Sequence, residues 1–159
     1  MRALVFAVLM LSACASPPAP APPAPSAPAP SRPLSPLAQE VHDQLQRLDA
    51  ELSAPGVVAA GFGQTADLGG GLVVRPFAVV EDSRCPANTR CLWEGRLRIR
   101  AAVSGRESVL TLGESLETSA GTIEFVVVSP GAWAEWPSSE LGPRPAFRFG
   151  FRRAGERTR

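Results

Sequence analysis

The feature that most constrains this 159-residue chain is a proline tract: ten prolines fall within the twenty residues Pro17–Pro36, with Ala and Ser filling most of the rest. Proline has no amide hydrogen and a fixed φ, so such a stretch sustains neither a helix nor a sheet ladder and favours extended polyproline II. At about 3.1 Å per residue, twenty residues reach on the order of 60 Å. The tract divides the chain into a short head and a longer body. Only the body is long enough to enclose a hydrophobic core, at roughly 105 to 120 residues, the size of one ordinary domain.

The head begins with Arg2, and Ala3 to Leu11 is an unbroken apolar run. A bilayer-spanning helix needs about 20 apolar residues, so this run fits the core of an export signal instead. Leu11-Ser12-Ala13-Cys14 follows. This resembles the bacterial lipobox: an apolar residue, two small residues that pass through a narrow peptidase site, then a Cys whose thiolate is alkylated. The resemblance implies that residues 1–13 are a cleaved lipoprotein signal peptide and that Cys14 is the lipidated first residue, carrying a diacylglyceryl thioether and an N-acyl chain. Several acyl chains anchor stably where one does not. Residues 14–36 are then the lipidated Cys and its tether. Ala15 stands where an Asp would retain such a protein at the inner membrane, so the expected location is the cell envelope, on the outer membrane facing the periplasm. The expected partners are the membrane, through Cys14, and a periplasmic protein or peptidoglycan within the tether's reach.

Ser35-Pro36 reads as a helix start, with Ser as N-cap and Pro at the first helical position. Leu37, Val41, Leu45, Leu48 and Leu52 then recur every three or four residues, one narrow apolar stripe on an otherwise polar helix over 37–54. Asp43 and Glu51 each stand four residues from Arg47 and are placed to pair with it. The stripe serves either to dock the helix on the rest of the domain or to form a coiled coil, though about two and a half heptads is marginal for a free-standing one. His42 lies off the stripe and is expected to be exposed.

From Gly56 the period shortens to two. Strands are predicted over Val57–Thr65, Leu72–Val80, Arg96–Val103, Ser108–Leu112, Thr122–Ser129 and Ala146–Arg152. Alternation is clearest in Leu97-Arg98-Ile99-Arg100-Ala101 and Phe147-Arg148-Phe149-Gly150-Phe151-Arg152. Breaks fall at Asp67 to Gly71, Ser104-Gly105, Ser119 to Gly121 and Pro130 to Pro145. The fold expected is mainly β: a small antiparallel β-sandwich or partly open barrel over 56–153, preceded by one amphipathic helix and followed by a basic tail, 154–159. Pro76 belongs at an edge or a bulge of its strand.

The net charge of +1 favours no nucleic-acid partner. Arg144, Arg148, Arg152, Arg153, Arg157 and Arg159 cluster near the C-terminus. They read as a solvated last strand and tail, or as a contact for anionic lipid headgroups and cell-wall polymers.

With Cys14 assigned to the lipid, Cys85 and Cys91 remain. In an exported protein so close a pair reads as a disulfide. A metal site would need further ligands, and only Glu81 and Asp82 stand nearby, so neither a metal nor a cofactor is expected. The surrounding residues, Asp82-Ser83-Arg84-Cys85-Pro86 and Cys91-Leu92-Trp93-Glu94-Gly95, resemble a family of small uncharacterised bacterial envelope proteins, many of them lipoproteins, whose motif reads D-S-R-C-P, a few residues, C-x-W-x-G. The resemblance covers about residues 57–153 and implies a compact β-fold closed by the disulfide; it carries no catalytic assignment. Trp93 is expected in the core against the disulfide. Trp133 and Trp136 are expected to pack as well, and would form a binding platform if exposed together.

The predicted β-domain contains no His, no Lys and no cysteine beyond this pair. That removes Ser-His-Asp, Ser-Lys, Cys-His and Schiff-base chemistry, each of which needs such a group. Gly69-Gly70-Gly71 lacks the Lys-Ser/Thr ending of a phosphate loop and reads as a turn. The function expected is non-enzymatic: a β-domain presented in the envelope for binding or structural support, with Arg84, Arg90, Trp133 and Trp136 as candidate binding residues. Two other readings stand beside it. One is a hydrolase inhibitor using the Cys85–Cys91 loop, with Arg84 or Arg90 at its tip. The other is a glycan hydrolase relying on Asp82 and Glu94. In the first reading Asp82 pairs with Arg84 or with loop amides.

Overall fold

The computed structural model describes residues 32–155. The signal segment 1–13, Cys14, nearly all of the tether, and Arg157 and Arg159 lie outside the described residues.

The first element, α1 (Pro36–Leu52), begins where its cap requires: the Ala38 amide donates to the Ser35 hydroxyl at 3.3 Å, and Pro36 takes the first turn. Eight strands follow: β1 (Val57–Gly61), β2 (Ala66–Asp67), β3 (Val73–Asp82), β4 (Leu97–Val103), β5 (Arg106–Thr111), β6 (Ser115–Thr118), β7 (Gly121–Ser129) and β8 (Arg148–Arg153). They form two four-stranded antiparallel sheets, ordered β1-β8-β7-β6 and β2-β3-β4-β5. The protein is therefore a mainly β, open sandwich with one long helix.

Alternation explains what each sheet buries. Leu97, Ile99, Ala101 and Val103 of β4 turn inward, while Arg98 and Arg100 lie on the opposite side. They meet Ile123 and Phe125 of β7 and Phe149 and Phe151 of β8, whose rings make the densest part of the core; Phe125 lies 5.9 Å from Phe149 and 5.3 Å from Phe151, centre to centre. Between the two β8 phenylalanines, Gly150 faces the other way. A Cβ there would collide with Val57 and Val127 and press on Leu52. This gap lets α1 lie on the outer side of the β1-β8-β7 sheet, burying Ala38, Val41 and Leu52. The helix is docked, settling the choice left open by its stripe.

Several local expectations need correction. The predicted strand Val57–Thr65 is broken after Gly61, where Gly63 adopts φ +73° and its amide bonds the Pro76 carbonyl at 2.8 Å. Residues 62–65 form a turn and loop, and the chain re-enters a sheet only at the two-residue β2, one position beyond the predicted strand. The edge strand β6 carries only one apolar residue, Leu116, too weak a pattern to register. A short helical turn, α2 (Ser138–Leu141), lies within the segment read as a break. Pro76, by contrast, sits as expected at a bulge of its strand, the register shift that follows its pairing with Ala101. Asp43 bonds Gln39 at 2.8 Å instead of pairing with Arg47, and His42 is half-buried with its ring 2.9 Å from the Gln46 amide nitrogen.

Candidate functional site

The link between β3 and β4 is the part of the molecule least explained by packing. It starts as a continuation of the ladder: the Ser83 amide donates to the Arg96 carbonyl at 2.9 Å, and the Cys85 amide to the Glu94 carbonyl at 2.8 Å. Gly95 makes this approach possible. It adopts φ +68°, and a Cβ on it would overlap the Ser83 carbonyl oxygen. Beyond the ladder, Cys85 and Cys91 are bonded to each other across a Cα separation of 5.9 Å, cross-linking the loop into a knuckle.

Charged side chains brace its base. Arg84 grips Asp82 with two hydrogen bonds of 2.8 Å, from Nε and Nη2 to the two carboxylate oxygens. The Arg84 hydrogen bonds outweigh partial desolvation and hold the Asp82 carboxyl below its ordinary value, with Arg144 adding to the effect. Glu81 is likewise held low, first by the Arg96 guanidinium at 2.9 Å, then by the Ser83 hydroxyl and Arg98. The motif residues Asp82, Ser83, Arg84, both cysteines and Gly95 thus each have a structural role.

The knuckle is also tied to the segment after Ser129. The Ala87 amide donates to the Ala132 carbonyl at 2.9 Å, and the Ala134 amide to Asn88 Oδ1 at 3.1 Å. Trp133 passes beneath, 5% exposed, its indole nitrogen donating to Gln44 Oε1 of α1 at 2.5 Å. Helix, knuckle and Trp segment are thereby joined. Where they meet lies a cleft of about 280 Å³, walled by Gln44, Leu48, Val127, Val128, Arg84 and Ala132.

What remains is the pair between Cys91 and Gly95. Leu92 is 95% exposed and Trp93 71% exposed. The expectation that Trp93 packs in the core is overturned. The ladder carries the loop outward beyond the ends of β3 and β4, and the disulfide it was expected to cover is itself at the surface, with Cys91 exposed.

The other candidates separate. Trp133 and Trp136 do not form an exposed platform: Trp133 is buried, and half-buried Trp136 donates to the Gly142 carbonyl at 2.8 Å under Arg144, whose guanidinium carbon is 5.3 Å from its ring centre. Arg84, committed to Asp82 and with a side chain only 14% exposed, is not presented to a partner. Arg90 and Glu94 are exposed. With its carboxyl held ionised, Asp82 is unsuited to serve as a general acid at neutral pH. Gly69–Gly71 is a turn, with the Leu68 amide bonded to the Leu72 carbonyl at 2.8 Å. The described arginines of the C-terminal cluster find partners inside the domain: Arg144 donates to the Trp133 carbonyl, Arg148 to Asp49, Arg152 to Glu124 and Arg153 to the Ala120 carbonyl. Among the described residues, no cluster of three or more His, Cys, Asp or Glu side chains is arranged to hold a metal ion, and no helix is long and apolar enough to cross a membrane.

Leu92 is the exposed residue that the cysteine motif alone does not single out. The signal was present: two adjacent apolar residues lie between a cross-linked Cys and a turn glycine, and adjacent strand positions face opposite ways, so one inward face cannot take both. Comparison of the chain with protein-family models, curated proteins and solved structures gives no match.

Proposed function

We propose that this chain is a lipid-anchored, non-enzymatic protein of the cell envelope that holds its β-sandwich off the outer membrane on the proline tether and binds another envelope component through the Cys85–Cys91 knuckle. The observation that carries the reading is the exposure of Leu92 and Trp93 on a cross-linked, ion-pair-braced loop. Two large apolar side chains exposed side by side gain nothing from folding, and a contiguous exposed apolar patch marks a surface for interaction. A loop already rigid before contact loses little conformational entropy when it binds. The lipobox resemblance at Leu11-Ser12-Ala13-Cys14 supports the anchor, and an oxidised cysteine pair fits an exported chain.

The test replaces Leu92 with a photo-crosslinking residue in cells, alongside mass analysis of the mature protein. Acylation at Cys14 and adducts to an envelope component formed from position 92, but not from exposed Glu107 on the opposite hairpin, are the expected results. An unacylated or uncut N-terminus removes the anchor, and absence of adducts specific to position 92 removes the binding role.

A further inference from the structure

We propose that the component engaged by the knuckle is the lipid–water interface of a bilayer, into which Leu92 and Trp93 insert as a shallow wedge. The inference rests on the binding role assigned to this loop and names what it binds.

Shape and area argue for lipid over a protein pocket. A stable protein interface covers about 800 Å² on each partner, with an apolar centre ringed by further contact residues. Here two side chains stand alone: Asn88, Thr89, Arg90, Glu94 and Arg96 around them are all exposed and polar. An aromatic side chain buries about 150–250 Å², so even with Leu92 added the pair offers no more than about half of one partner's share of such an interface. The knob is convex, and neither residue lines the cleft beside α1. A bilayer interface asks only for a small protruding apolar tip, preferably containing Trp, whose ring settles at headgroup depth with its N–H in the wet layer.

The charges agree. Residues 81–98 carry four arginines, Arg84, Arg90, Arg96 and Arg98, against three carboxylates, Glu81, Asp82 and Glu94. Asp82 is taken by Arg84, and Glu81 is shared between Arg96 at 2.9 Å and Arg98 at 3.7 Å. The loop and its base thus carry one positive charge in excess, so anionic lipid favours insertion modestly while the apolar pair supplies most of the attraction.

The test uses the full chain in vesicles of phosphatidylethanolamine with a minor fraction of phosphatidylglycerol, some carrying lipids brominated high on the acyl chains. Bromine quenches tryptophan on contact, and of the three indoles Trp133 is buried and Trp136 half-buried. The expected result is quenching of the wild type by the brominated lipids, most of which disappears in Trp93→Ala, whose fold is unaffected because the ring packs on little. Replacing Leu92 with Asp is expected to weaken the quenching several-fold while leaving Trp93 in place. Quenching equal in wild type and Trp93→Ala, or absent from both, overturns insertion. Crosslinks from position 92 to a protein, combined with absent quenching, leave the binding role standing and refute only the lipid assignment. Failure of both experiments removes both.

Discussion

Gly95 and Trp93, two residues apart, show how little sequence distance separates a structural position from a presenting one. Gly95 combines a left-handed backbone with a carbonyl packed where a side chain would begin. Gly95→Ala is therefore expected to cost about 1–2 kcal/mol for the conformation, with a further penalty for moving Ser83. Trp93→Ala, at a ring 71% exposed, is expected to change stability by no more than about 0.5 kcal/mol. Urea denaturation of both variants checks the contrast. A large loss from Trp93→Ala would mean that the ring packs on the domain and is not displayed. Both residue types are written in the sequence, but the distinction between them is not. Burial is set by where the ladder ends, and that depends on β3 and β4 meeting in the register Asp82↔Leu97, a pairing of residues distant in sequence.

Among elements, those with strong periodicity were legible. The leucine stripe and the Ser35 cap specify α1, and the alternations around Ile99 and Phe149 specify β4 and β8 with little error at their ends. Elements made by partners were not. β6 exists because β7 offers it an edge, and the α2 turn is held where Glu140 accepts the Ser35 amide and hydroxyl, each at 2.7 Å. Neither carries a pattern of its own. The packing of α1 over Gly150 gives a prediction at this scale. Gly150→Val would force methyl groups into the space occupied by Val57, Val127 and Leu52. The expected loss is about 1–3 kcal/mol, the usual range for an overpacked core, with the helix lifted from the sheet. Denaturant unfolding, with amide exchange of α1 as the local reporter, checks it; wild-type stability and protection would show that the helix does not need that contact.

At the scale of the whole molecule, three carboxylates among the described residues are held low and contribute to the response to acid. Glu81, Asp82 and Glu140 titrate below their ordinary values of 4.5, 3.8 and 4.5, the first two chiefly through Arg96 and Arg84, the third through Ser35. The unfolded chain therefore binds protons first as the pH falls, so the stabilisation is complete above the ordinary values and is lost as the pH drops through the folded ones. The urea midpoint is expected to hold level through neutral pH and to decline below about pH 4.5. In Asp82→Asn the midpoint should be lower at neutral pH and the acid decline shallower. An unchanged decline in that variant would show that the Arg84 pair contributes nothing to the response.

One consequence follows from the strand order β1-β8-β7-β6. Of the described strands, β8 comes after the others in chain order yet is an interior one, with β1 and β7 each pairing along one of its sides. A polypeptide that emerges N-terminus first, from a ribosome or through a narrow pore, has no complete sandwich until Phe149 and Phe151 are out. Until that moment α1 lacks part of the sheet it packs on and the aromatic core lacks two of its rings. Closure of this sheet therefore waits for β8, and a stop codon before Arg148 removes the strand with which both β1 and β7 pair.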